Sequence, residues 1–444
     1  MQRTKLILTS LAVTVLLGTP VVSGERPTTV YPPKLAVDAD ELGVPTPITD
    51  PSDEALAQFH ESLAATARKE KTTRIVVWGA SHMAGDSFTR LVRHRLQSEF
   101  GDAGPGFAVP NKPWRDYNHK DLNISYDGDW EAYWVGRCCS RDDGIYGIAG
   151  TSFTSGNKKA WAKIETARRE GFGHAVSSFE VFYYTQERGG DLKVYIDGRL
   201  KDVIDTNHEV AGPAYKRYVV PDGPHNIVLK PKGNGDVTLF GVASERDEFG
   251  VLVDTLGING AKATSQLKWD DAIFTGHMKK RNPDLLVLAY GTNATGDEDT
   301  PIATYEAEFD QVVARAKAAA PQASCVLVGP SDWPVKVETE IQNTGKRKAR
   351  KKRRRRRKPK TVTGFQLRER TGMVIDVQRR VAHKYGCGYW DWRAAMGGEL
   401  SMLSWRHSKP VQASGDYVHF TRRGYEKLAE LFYAELMKGY VAPE

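Results

Sequence analysis

The chain has 444 residues, 40% of them hydrophobic, which is enough for two buried cores and too much for a disordered protein. Its net charge of +8 comes from one segment, because residues 346–360 hold thirteen Lys or Arg and without them the charge would be −5; a generally basic, nucleic-acid-like surface is excluded. Four cysteines, Cys138, Cys139, Cys325 and Cys387, exclude a small disulfide-built scaffold and are not spaced as metal ligands.

Arg3 and Lys5 precede a short apolar run that ends at Val22-Ser23-Gly24, the pattern of a secretory signal peptide over residues 1–24. The run is too short for an ordinary membrane span, and no later segment is long and apolar enough, so the mature chain is expected to be exported without a transmembrane span. Residues 25–52 are rich in Pro, Thr and Val without periodicity and read as an extended arm. A helix is predicted after Pro51, with Leu56, Phe59, Leu63 and Ala67 as its apolar positions.

The run from Arg74 to Trp78 is β-branched and aromatic, as in a buried parallel strand, and Ser81 leaves its C-terminal end. A helix follows from Asp86 with Phe88, Leu91, Val92, Leu96 and Phe100 on one face, and with Asp86 or Ser87 as its cap. From 122 to 248 the character changes to short alternating runs separated by Gly and Pro, which predicts an inserted antiparallel β-sandwich or jelly roll. Trp130, Tyr133, Trp134 and Tyr146 open it as an aromatic cluster, suited either to stacking on sugars or to a plain core.

Two further strands end in glycine: the run from Val251 leads to Gly260, and the run from Pro283 to Tyr290 leads to Gly291-Thr292-Asn293. Asn293 can donate its amide and Gly260 its N–H to a developing oxyanion. Cys325 and Cys387 lie in or near predicted buried strands and read as core thiols. The basic tract 346–360 is expected to stay extended and to meet anionic polymer or lipid head groups, in preference to specific nucleic-acid recognition. The segment 396–407 is expected to be a loop over the site, with Trp405 and His407 lining a substrate cleft. Asp416 stands three residues before His419, close enough for its carboxylate to orient the imidazole, and an amphipathic C-terminal helix follows.

These segments, Gly79-Ala80-Ser81-His82, Leu256-Gly257-Ile258-Asn259-Gly260, Tyr290-Gly291-Thr292-Asn293 and Asp416-Tyr417-Val418-His419, occur in an order that resembles the SGNH/GDSL hydrolase family. The resemblance implies a three-layer α/β/α, flavodoxin-like domain over 53–121 and 249–444, interrupted by the insertion. It implies Ser81 as nucleophile, His419 and Asp416 as its acid–base pair, the Ser81 amide, Gly260 and Asn293 as oxyanion donors, and no metal or organic cofactor. Ala80 departs from the family's usual aspartate, and Asp86 is a candidate replacement. The inserted β-domain is similar to that of bacterial peptidoglycan O-acetylesterases. The expected activity is removal of O-acetyl groups from a polysaccharide, most naturally cell-wall peptidoglycan, in a bacterial periplasm or outside the cell. A polysaccharide O-acetyltransferase using the same serine and a non-catalytic glycan- or polyanion-binding protein are the alternatives.

Overall fold

A computed structural model describes residues 28–115, 117–136, 139–341 and 360–443. The signal-peptide reading, Cys138 and the basic tract up to Pro359 lie outside the described residues.

Five strands run parallel in the order Val251–Gly257, Thr73–Gly79, Leu285–Ala289, Ser324–Val328 and Gly388–Trp390. Taken along the chain, this is second, first, third, fourth, fifth, so the order reverses between the Thr73 and Leu285 strands. The crevice beyond the C-terminal ends of such strands is where open α/β sheets hold their chemistry. The supposed extended arm takes part in the architecture: Ile48–Thr49 pairs antiparallel with Gly388–Trp390, and Val37–Asp38 pairs with Ser408–Lys409.

Strand alternation sorts the side chains into two layers. Ile75, Val77, Val287 and Val326 face Phe59, Leu63, Val92, Leu96 and Phe432 from the helices Ala57–Ala67, Ser87–Phe100 and Arg422–Leu436. Val76, Trp78, Leu286 and Leu327 face Phe274, Phe309, Val312 and Val374 from the helices Asp271–Arg281, Ile302–Ala319 and Arg370–Lys384. Each such burial stabilises the fold by about 1.5–3 kcal/mol relative to exposure. Ala67, expected on the apolar face of its helix, is exposed, and Thr66 is buried instead, sharing a hydroxyl contact with Thr73.

Cys325 and Cys387 are not separate thiols but a disulfide joining neighbouring parallel strands, with Cα atoms 4.6 Å apart. Among the described residues no helix is long and apolar enough to cross a membrane.

Between the first and second parallel strands the chain builds two antiparallel sheets. Their eight strands from Thr151 to Glu245 pair first with eighth, second with seventh, third with sixth and fourth with fifth. Ile164, Leu192 and Leu229 of one sheet meet Phe179, Val181 and Leu239 of the other in a common core. The strand Gly106–Ala108 also pairs with Val237–Glu245, so the antiparallel region reaches upstream of residue 122.

Two buried arginines fasten the crossings between the parallel and antiparallel parts. Near the entry, Arg93 donates to Asp121 at 2.8 Å and to Asp86 at 2.9 Å, with all three side chains at most 2% exposed. Near the exit, Arg281 donates to Asp254 at 2.7 Å and Glu245 at 2.6 Å, and Arg74 reaches Glu245 at 2.8 Å. Asp86 is therefore neither a side-chain cap nor a free stand-in for the missing aspartate. It sits at φ 52° with no cap bond and spends its carboxylate on Arg93, Thr255 and the Lys120 amide.

Candidate active site

Strand register brings the candidate loops to one level. Gly79 lies opposite Gly257 on one side and Ala289 on the other, so Ser81, Gly260 and Asn293 follow strands that end together. Glycine is needed at 257 because a Cβ there would stand 2.2 Å from the Ala84 amide nitrogen, in the short helix that starts at Ser81.

His419 reaches this level from the other end of the chain. Its Nε2 lies 2.8 Å from Ser81 Oγ and its Nδ1 lies 2.7 Å from Asp416 Oδ2. A carboxylate only accepts, so Nδ1 carries the proton and the Nε2 lone pair faces the serine hydroxyl. The Asp416 side chain also closes a local turn, accepting from the Val418 and His419 amides at 3.0 Å each, while Tyr417 takes φ 60°. Partial burial would raise the Asp416 pKa, but the bonds from His419 and these amides outweigh it and hold the carboxyl below its ordinary value.

Asn293 uses one amide hydrogen on the Ala261 carbonyl at 2.9 Å, which leaves the second to donate elsewhere. Gly260 has φ 74°, and open space surrounds the position a Cβ would take. Both border a cleft of about 550 Å³ whose other walls include Lys262, Thr264, Ser265, Lys268, Asp297, Trp333 and, from the antiparallel region, Gly136.

Trp405 and His407 do not line this cleft. Trp405 is fully buried, with its indole N–H donated to the Met396 carbonyl at 2.8 Å, because 402–406 folds as a helical turn that drives the ring into the core. His407 lies 3.1 Å from the Tyr417 hydroxyl and braces the turn that carries His419. Of the aromatic cluster, Tyr146 is core, while Trp134 packs against Trp114 and stands behind Gly136.

Behind Ser81 the structure places a residue that sequence reasoning passed over. His82 is buried, with Nδ1 2.9 Å from the Tyr425 hydroxyl and Nε2 3.1 Å from Ser331 Oγ, and Ser331 is in turn 3.2 Å from Thr292 Oγ1. Burial, with His419 close by, pushes its pKa down to about 3, so the ring stays neutral. Its only signal in sequence is its place next to Ser81. Trp333 and Lys268 were also missed, since nothing local links them to Gly260 or Asn293.

Residues 242–427 match the model of the GDSL-like lipase/acylhydrolase family. Over this stretch the chain is similar to ester hydrolases of the SGNH/GDSL type. The matched stretch holds Gly260, Asn293, Asp416 and His419 and begins downstream of Ser81, which the antiparallel region separates from it. The chain is similar in fold to a solved peptidoglycan O-acetylesterase, with a TM-score of 0.66 and 23% identity over 86% of this chain and 96% of that one. A family two carbohydrate esterase from Clostridium thermocellum aligns with a TM-score of 0.29 and 10% identity over 72% of this chain and 100% of that one, too low to carry an argument. A comparison with curated proteins finds no match.

Proposed function

We propose that this protein is an exported serine esterase that removes O-acetyl groups from a polysaccharide, with cell-wall peptidoglycan as the substrate. The observation that carries the reading is the Ser81–His419–Asp416 chain of contacts, in which a serine hydroxyl meets a histidine whose tautomer a carboxylate fixes. Ser81 Oγ attacks the acetyl carbonyl as His419 Nε2 takes its proton. The carbonyl oxygen, now negative, is held by the Ser81 and Gly260 amides and the free N–H of Asn293. His419 then gives its proton to the departing sugar hydroxyl, and a second round with water as nucleophile releases acetate and restores the serine.

The cleft supports a sugar rather than a long acyl chain. Its volume of about 550 Å³ far exceeds an acetyl group, and Lys262, Thr264, Ser265, Asp297 and Asn293 make its wall polar, with Trp333 as an aromatic surface. A bacterial periplasm or the cell exterior is the proposed location. The N-terminal pattern and the Cys325–Cys387 disulfide, a bond that persists in oxidising compartments, both favour it. We read the inserted strands as a jelly roll, since pairing first with eighth through fourth with fifth is what one long hairpin gives when rolled into two sheets.

The basic tract joins the ends of the antiparallel hairpin Val335–Ile341 and Lys360–Gln366, whose Phe365 ring lies 4.5 Å from Tyr417 beside the proposed base. Anionic wall polymer or lipid head groups are its proposed partners, and equal pelleting on wall polymer with and without residues 346–360 would refute this.

The deciding experiment is acetate release from O-acetylated peptidoglycan, with Ser81→Ala alongside and with an acceptor glycan added in one arm. Release by the parent alone supports the esterase. Acetyl transfer exceeding hydrolysis would replace it with an acetyltransferase, and ester turnover retained by the variant would end the serine mechanism.

A further inference from the structure

The walls of the cleft beside Gly260 and Asn293 are unevenly charged. Among the described residues, Lys262 and Lys268 both border it, against one carboxylate, Asp297. Lys262 is already paired with Asp297, which also accepts from the Thr300 hydroxyl. Lys268 is exposed and has no carboxylate partner among the described residues, so one positive charge is left over at the cleft.

The backbone under Lys268 is fixed from two sides. Arg315 donates to the carbonyls of Gln266 and Trp269, closing the turn Ala263–Lys268 from below. From the antiparallel region, Gly144 accepts the Asp270 amide at 2.9 Å, and a Cβ on Gly144 would stand 2.9 Å from the Lys268 carbonyl oxygen. A surface lysine on a mobile loop would not need such close support. Across the cleft, Trp333 has Arg368 over its ring at 4.3 Å and an edge against Gly296, so its plane is set as well.

We infer that this cleft selects acetylated glycan bearing a carboxylate, with a sugar ring lying along Trp333 and the carboxylate paired to the Lys268 ammonium. The inference rests on the glycan-ester reading above and narrows its substrate class. A single ammonium is a point charge that pairs with one carboxylate without demanding the bidentate geometry of a guanidinium fork. The antiparallel region then shapes specificity directly, through Gly136 in the wall and Gly144 beneath the lysine.

The test uses solubilised O-acetylated peptidoglycan fragments with their carboxylates free, and the same fragments with the carboxylates amidated. The ratio of kcat/KM for the two is measured for the parent, Lys268→Gln and Lys268→Arg, with thermal unfolding to show that each variant folds. The parent is expected to favour the free carboxylate by roughly fivefold or more at low salt, as for one partly exposed ion pair, and the preference should shrink as salt is added. Lys268→Gln should bring the ratio close to one, and Lys268→Arg should keep most of it. A ratio unchanged by Lys268→Gln, or equal rates on both fragments by the parent, would overturn the inference while leaving the esterase intact. Turnover of p-nitrophenyl acetate with neither fragment attacked would instead overturn the glycan reading, and this inference with it.

Discussion

The His82 ring joins the Tyr425 hydroxyl, 2.9 Å from Nδ1, to the Ser331 hydroxyl, 3.1 Å from Nε2. Tyr425 belongs to the helix that follows His419, and Ser331 contacts Thr292, the neighbour of Asn293. The ring adjacent to Ser81 is thus tied to the loop of the proposed base and to the loop of a proposed oxyanion donor. His82→Phe, which keeps a ring but loses both bonds, should lower kcat by about 10- to 100-fold with little change in KM, the cost of a misplaced loop. Since His82 carries no added proton above pH about 3, the acid limb of the pH–rate profile should stay where the parent has it. A limb that moves with the substitution would mean that His82 titrates during turnover.

For the triad, Ser81→Ala and His419→Ala should each lower kcat for p-nitrophenyl acetate by roughly 10⁴-fold or more, and the double variant should fall no further than the worse single one. Asp416→Asn should cost about 10²- to 10⁴-fold, because an amide in place of the carboxylate favours the wrong histidine tautomer. Steady-state kinetics on the three variants decide it, and additive losses would separate the residues into independent roles.

The arginines at the two crossings should govern acid stability. Burial alone would raise the Glu245 pKa, but Arg281 and Arg74 outweigh it and hold the carboxyl far below its ordinary 4.5. Asp121 is likewise held far below 3.8, chiefly by Arg93 against the cost of burial. A folded pKa below the unfolded one means stability that is complete above about pH 4.5 and is lost as pH falls through the depressed values. Arg281→Met, which takes the arginine from buried Asp254 and leaves Glu245 with Arg74 alone, should cost about 3–5 kcal/mol at pH 7, and less at pH 3. Urea unfolding of parent and variant at the two pH values measures the difference; equal losses at both would refute the electrostatic account.

Asp332 should act in the opposite sense. Burial pushes its pKa up to about 6, although it accepts the Met402 amide at 3.0 Å. A raised acid pKa contributes stability that is full below the unfolded value of 3.8 and is lost as pH rises through about 6. Asp332→Asn should therefore stabilise the protein above pH 6, by about 1–3 kcal/mol at pH 8, and much less at pH 4. Urea midpoints at pH 4 and pH 8 test this, and a gain that does not depend on pH would contradict it.

Much of the proposed site could be read from sequence because each part is short and local. Ser81, Gly260 and Asn293 each follow a strand-like apolar run, and Asp416 lies three residues from His419 in one turn. What sequence concealed depends on distant register. Cys325 and Cys387 pair only because their strands are neighbours in a parallel sheet, and Asp86 looks like a cap until Asp121 brings the same arginine to it. Trp405 was misplaced because a short helical turn and a loop have similar polarity, and only the fold shows that its ring points inward.

Ser81 and His419 are 338 residues apart in the chain yet Oγ and Nε2 stand 2.8 Å from each other. During synthesis, the serine and the loops of Gly260 and Asn293 leave the ribosome long before the imidazole. A nascent or prematurely ended product that stops short of Asp416 has the proposed nucleophile without the proposed base. Activity should thus appear all at once with the last stretch translated, not grow with chain length, and degradation fragments that end before Asp416 should be inert toward esters.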